Sequence, residues 1–202
     1  MIRTLLFDLG NVLVNFSHER MCRQIGALVH RSGEEVHAAL FDGRLQLPLE
    51  RGEIDQREFQ RRLEARLGVR FDPAELERAC CDIFSPNPFV RPLLEQLRHQ
   101  GYRLVALTNT SPAHYEWVRS RYDVFGPFHA VLTSFAVGAV KPEEAIYRRA
   151  LAEIQCEPGE CFYTDDIAEY VAAGRRFGLQ AEVFIDAATL LRQLRERGVR
   201  VG

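Results

Sequence analysis

The chain is predicted to fold as an α/β protein on a parallel sheet, and three features of its 202 residues carry that expectation. Short apolar runs rich in Val, Leu and Phe recur along it. Stretches of helical period separate the later runs. One long segment near the start has helical period only.

Five runs read as strands: residues 2–7, 103–107, 130–133, 161–164 and 181–185. Helical spacing covers 112–121, 143–153 and 168–177, and Asp186 is placed to cap a last helix through Arg197. Strand alternating with helix implies parallel pairing with both faces covered. Such a sheet gathers its ligand site beyond the carboxyl ends of its strands.

From residue 15 to residue 87 the alternation stops. Helical patterns run over 17–29, 34–41, 56–67 and 73–84, with Asp55 and Asp72 where N-caps belong and Pro73 in a first turn. Residues 15–87 therefore read as a helical insertion in a core made of residues 1–14 and 88–202. The polar loop 85–88 returns the chain to the core, and 89–99 reads as the helix leading into the second strand.

Apolar residues make up 47% of the chain, enough for a sizeable core, and the 27% that are charged are too well mixed for a disordered chain. A formal net charge of -2 leaves no global basic footprint for nucleic acid, and the pairs Arg61-Arg62 and Arg175-Arg176 read as solvated helix faces. Five cysteines, an odd number without CxxC spacing, fit reduced thiols in a cytoplasmic protein. No stretch approaches the roughly 18 apolar residues that span a bilayer. The opening run, interrupted by Asp8, fits neither a signal peptide nor an anchor, so no membrane partner is expected.

Polar groups recur at the strand ends. The first strand ends in Asp8, the second in Thr108-Asn109 and the fourth in Asp165-Asp166, while Lys141 follows the third. Each has an ordinary use when taken alone, as a helix cap, a turn or a surface lysine. Together, at one sheet edge, they point to a site. Three carboxylates converging there repel each other unless a cation neutralises them. Mg²⁺, a hard ion with oxygen ligands, is the natural candidate. A hydroxyl, an amide and an ammonium beside it suit a phosphate, which suggests phosphoryl transfer on a small-molecule phosphate ester.

The ordered stretches FDLGNVLV, VALTNT, VKPEEAIY and FYTDDIAEYVAAG resemble the four motifs of the haloacid dehalogenase-like hydrolase superfamily. The resemblance covers essentially the whole chain, with the insertion matching the subgroup that carries an α-helical cap. It implies a Rossmann-like core and a Mg²⁺-dependent phosphatase. Asp8 would be the nucleophile that forms an aspartyl-phosphate and would also touch the metal. Thr108 and the backbone amide of Asn109 would hold phosphoryl oxygens, and Lys141 would neutralise the phosphate and orient Asp8. Asp165 and Asp166 would hold Mg²⁺, with the Gly10 carbonyl as a further ligand. The chain is expected to act as a monomer or homodimer.

The opening stretch departs from that pattern. Most phosphatases of the superfamily have a second Asp two positions after the nucleophile, where this chain has Gly10. The dehalogenases typically have Tyr there and work without metal, so the paired acids at 165 and 166 disfavour that alternative. A binding module with little turnover is the third reading. The DLGNV form is similar to bacterial sugar-phosphate phosphatases, including those for glucose 1-phosphate, whose anomeric leaving group depends less on protonation. Asn11, His18 and an ordered water are the candidate substitutes for the missing acid. Asn15, Arg44 and Glu50 lie near expected cap edges, where charged side chains are usually solvated, and are not assigned to the site.

Overall fold

The structure is a computed structural model that describes residues 1–201. Its strands are β1 (Thr4–Phe7), β2 (Val14–Phe16), β3 (Phe84–Pro86), β4 (Arg103–Thr108), β5 (Ala130–Thr133), β6 (Cys161–Asp165) and β7 (Gln180–Val183). Five of them make one sheet in the order β5-β4-β1-β6-β7, and every pairing in it is parallel. The chain has a mixed α/β fold with a Rossmann-like core and helical insertions.

The central strands are largely apolar because both faces of the sheet are covered. Along β1, Leu5 and Phe7 enter one core cluster with Leu104 and Phe162, while Leu6 enters the other with Val105, Leu107 and Tyr163. Phe7 pairs in register with Ala106 and with Thr164. Asp8, Thr108 and Asp165 therefore finish their strands at one edge. The pairing itself brings together residues 99 and 157 positions apart.

The insertion holds helices His18–Leu28, Gly33–His37, Gln46–Glu50, Gln56–Leu67 and Pro73–Cys81, packed on their own cluster around Ile25, Leu40, Leu63 and Leu76. Two of the N-termini are capped as the sequence indicates: the side chains of Asp55 and Asp72 accept from backbone amides of the first turn. Ser32 and Glu35 close a capping box at Gly33–His37.

The differences from expectation lie mostly in this segment. Residues 15–87 were expected to lack strands, yet β2 and β3 pair antiparallel where the chain leaves and re-enters the core, with Phe16 opposite Phe84. Each is three residues long, and its partner lies some seventy positions away, so no local pattern announces it. The helix expected over 73–84 stops at Cys81 because Phe84 is drawn into that ribbon. The helix expected over 34–41 breaks at His37 into a π-helical turn, Ala38–Asp42. Gln46–Glu50 is an additional short helix. In the core, β7 ends at Val183 rather than at 185, leaving Ile185 71% exposed. Among the described residues no helix is long and apolar enough to cross a membrane.

Candidate active site

Lys141 is the hub of the site. Its ammonium is buried, and its three donors are all used: Nζ bonds Asp8 Oδ1 at 2.7 Å, Asp165 Oδ2 at 2.6 Å and the Leu107 carbonyl at 3.2 Å. Burial disfavours the charge, but Asp8 and Asp165 overcome it and hold the pKa of Lys141 above its ordinary value. The Asn109 side chain fixes the backbone of Lys141 by accepting from its N–H at 2.8 Å and donating to its carbonyl at 3.1 Å. The amide group of Asn109 is thus committed to positioning Lys141.

Burial pushes the Asp8 carboxyl up to about 7, with Lys141 working against that shift and Asp165 adding to it. Such a group needs a further cation to stay ionised. Asp8, Asp165 and Asp166 each present a carboxylate oxygen, and these oxygens lie within 4.8 Å of one another. An all-oxygen donor set of this kind fits Mg²⁺.

The paired acids are not equivalent. Asp165 is fully buried, and its oxygens accept from Lys141, from the Tyr163 hydroxyl at 2.5 Å and from the Ile167 N–H at 2.9 Å. Tyr163 reaches it because residues two apart in a strand share a face. Asp166 is only partly buried and accepts from the Asn11 side chain at 3.0 Å. Burial raises its pKa, and Asn11 opposes that rise. Asp166 thus retains more capacity for a metal than Asp165 does.

Gly10 and Asn11 form the turn after β1. Asn11 has φ 53°, a left-handed backbone that Asn tolerates because its short polar side chain bonds locally. Here that side chain holds Asp166, which commits it to orientation rather than proton transfer. A Cβ on Gly10 would lie 2.7 Å from Cε1 of Phe16, so the ring occupies the space where a second acid would grow.

These groups floor a cavity of about 460 Å³ that extends under the insertion and is lined by Asp8, Gly10, Thr108, Asn109, Lys141 and Asp166 below. His18 lies in its wall between Phe16 and Phe41, with ring centroids 4.9 and 4.8 Å away. Burial, aided by His37, lowers the pKa of His18 and favours the neutral ring. His114 bonds the Cys80 carbonyl at 3.1 Å and is held neutral by burial, with a pKa lowered to about 4.

Glu50, which the sequence places near a cap edge without assigning it to the site, lines the same cavity. Burial pushes its carboxyl up to about 7, while the charge of Lys141 pulls the other way. The next residue, Arg51, pairs with Glu143 of the core and so ties the short helix to the loop that carries Lys141. Tyr170 also lines the cavity, with its hydroxyl 3.4 Å from Asn109 Nδ2 and its ring 5.1 Å from Lys141 Nζ. Of the cap-edge residues, Glu50 and the exposed Arg44 line the cavity, whereas Asn15 does not.

A family model described as haloacid dehalogenase-like hydrolase matches residues 2–178. The sesquiterpene phosphatase astK of Aspergillus oryzae is 21% identical over 196 residues, which cover 95% of this chain and 94% of that protein. The glyceraldehyde 3-phosphate phosphatase of Methanopyrus kandleri is 34% identical over 82 residues, 40% of this chain and 35% of its own. Among solved structures, the HAD family enzyme bt-2542 of Bacteroides thetaiotaomicron, in complex with magnesium and inorganic phosphate, aligns with a TM-score of 0.82. It is 25% identical, and the alignment covers 95% of this chain and 100% of that one.

Proposed function

The chain belongs to the haloacid dehalogenase-like hydrolase family, and from that membership we propose that it is a Mg²⁺-dependent phosphatase that hydrolyses a small phosphate monoester through an aspartyl-phosphate. The observation that carries the reading is Lys141, buried between Asp8 and Asp165 at 2.7 and 2.6 Å. A lysine so placed favours the ionised form of a nucleophile beside a second acid. Relatives named as phosphatases, and a structural neighbour that binds magnesium and phosphate, support the same reading.

In the first step an Asp8 carboxylate oxygen attacks phosphorus, the Asp8–phosphorus bond forms and the bond to the ester oxygen breaks. The Thr108 hydroxyl and the Asn109 backbone amide meet the phosphoryl oxygens, and Lys141 balances their charge. Asp8, Asp166 and the Gly10 carbonyl would hold Mg²⁺, with Asp165 acting behind Lys141. When bound, the ion neutralises charge on the phosphoryl group.

The departing oxygen needs a proton that Gly10 cannot supply. Glu50 stands in that role: it lines the cavity, and its pKa, raised to about 7, leaves a substantial share of it protonated near neutral pH. In the second step water attacks phosphorus, Glu50 takes the proton, and phosphate leaves Asp8 as it was. Residues 15–87 act as the cap that supplies Glu50 and covers the strand ends. The expected sugar-phosphate substrate rests on the DLGNV stretch.

The test is hydrolysis of p-nitrophenyl phosphate with and without Mg²⁺ and with Asp8→Asn. Turnover should need the ion and vanish in the variant. Activity that survives Asp8→Asn would reject the covalent mechanism.

A further inference from the structure

The cavity has a polar floor and largely hydrocarbon walls. Phe16, Met21, Phe41, Leu47, Phe59 and Phe84 line it, contributed by strands, helices and the π-helical turn from both ends of the insertion. Side chains from so many separate segments converge on one volume only through tertiary packing. Phe16 also stands directly beside the catalytic turn, at the position a side chain on Gly10 would take. An aromatic ring therefore stands beside the turn that follows Asp8.

The two imidazoles in the walls do not change this character. His18 packs between two aromatic rings, and the His114 ring nitrogen is already used on the Cys80 carbonyl. The polar cap residues are few. Gln56 offers one buried, unpartnered acceptor, Oε1, while Gln46, Glu50 and Arg44 are the others. A sugar hydroxyl buried against these rings, out of reach of those few side chains, would lose its hydrogen bonds to water without a replacement, a direct penalty on binding. A methylene buried there gains instead.

We propose that the ester accepted by this site has an apolar body, an aliphatic or aromatic alcohol monophosphate rather than a phosphorylated sugar. The inference rests on the phosphatase reading and names the class of its substrate. The 460 Å³ cavity has room for a hydrocarbon chain beyond the phosphate, so specificity comes from how much of the chain the rings cover.

The experiment measures kcat/KM of the full chain with Mg²⁺ for butyl, hexyl and octyl phosphate, for glucose 1-phosphate and glucose 6-phosphate, and for acetyl phosphate. The expected series rises about fourfold per methylene, roughly 250-fold from butyl to octyl phosphate, with octyl phosphate well above either glucose phosphate. Leu47→Ser, at a partly exposed wall position, should flatten that series. A rate independent of chain length, or a glucose phosphate that matches octyl phosphate, overturns the proposal. Acetyl phosphate hydrolysis lost in Asp8→Asn shows that the phosphatase reading holds whichever body is preferred. If no ester is hydrolysed, that reading falls, and calorimetric binding of octylphosphonate against glucose 6-phosphate decides the body: tighter octylphosphonate supports an apolar ligand, and tighter sugar phosphate rejects it.

Discussion

The ring of Phe16 fills the space into which a side chain at position 10 would grow, since a Cβ on Gly10 would stand 2.7 Å from its Cε1. The missing acid and the aromatic wall are therefore two sides of one arrangement. Restoring the carboxyl at position 10 requires moving the ring.

Gly10→Asp alone should overpack the turn, cost about 1–3 kcal/mol of stability and leave the turnover of an alkyl phosphate unimproved. In a Phe16→Ala background the same change should raise kcat at least about tenfold over Phe16→Ala, as a general acid regained. Denaturant unfolding and steady-state kinetics on the variants check both parts. A faster Gly10→Asp single variant would show that the ring is no obstacle.

Glu50 gives a pH signature. Its folded pKa is raised from 4.5 to about 7 by burial, so between those values the folded chain binds a proton that the unfolded chain releases. Stability from this group is complete below pH 4.5 and is lost as pH rises through about 7. Glu50→Gln should remove that decline, worth up to about 3 kcal/mol, and gain stability relative to wild type above pH 7. The variant should also lose the fall in alkyl phosphate turnover that wild type shows as pH rises through the same range, with kcat lower by roughly 10²-fold at pH 6. An unchanged pH–rate profile would remove Glu50 from the mechanism.

Lys141→Met should leave two buried carboxylates without their cation. A loss of about 3–5 kcal/mol near neutral pH is expected, shrinking in acid as the carboxyls take up protons. Urea unfolding at pH 7 and at pH 4 measures it. An equal loss at both pH values would assign the effect to packing alone.

The two neighbouring acids should separate by experiment. Asp166→Asn should raise the Mg²⁺ concentration needed for half-maximal turnover with little loss of stability, because its side chain is partly exposed and holds one bond from Asn11. Asp165→Asn should instead destabilise the fold, since it disrupts the contacts from Lys141 and Tyr163. Mg²⁺ titration of activity beside thermal melts distinguishes them. The reverse pattern would exchange the two roles.

The edge that gathers Asp8, Thr108, Lys141, Asp165 and Asp166 was legible in the sequence for a simple reason. Apolar runs that alternate with helices pair in parallel, and parallel strands present their carboxyl ends to one side, so residues at those ends become neighbours. The side chains that the insertion brings to that edge were not legible, although most of its helices were. Pairing of β2 with β3 joins three-residue segments some seventy positions apart, and Glu50 and Phe16 line the cavity over that edge only because that ribbon and the Arg51–Glu143 pair set the insertion over the core. The unequal standing of Asp165 and Asp166 likewise depends on which oxygens Lys141, Tyr163 and Asn11 reach. Local pattern determined the strands and the chemistry at their ends. Long-range packing alone decided which side chains face that chemistry, because contacts between distant segments leave no periodic trace in either one.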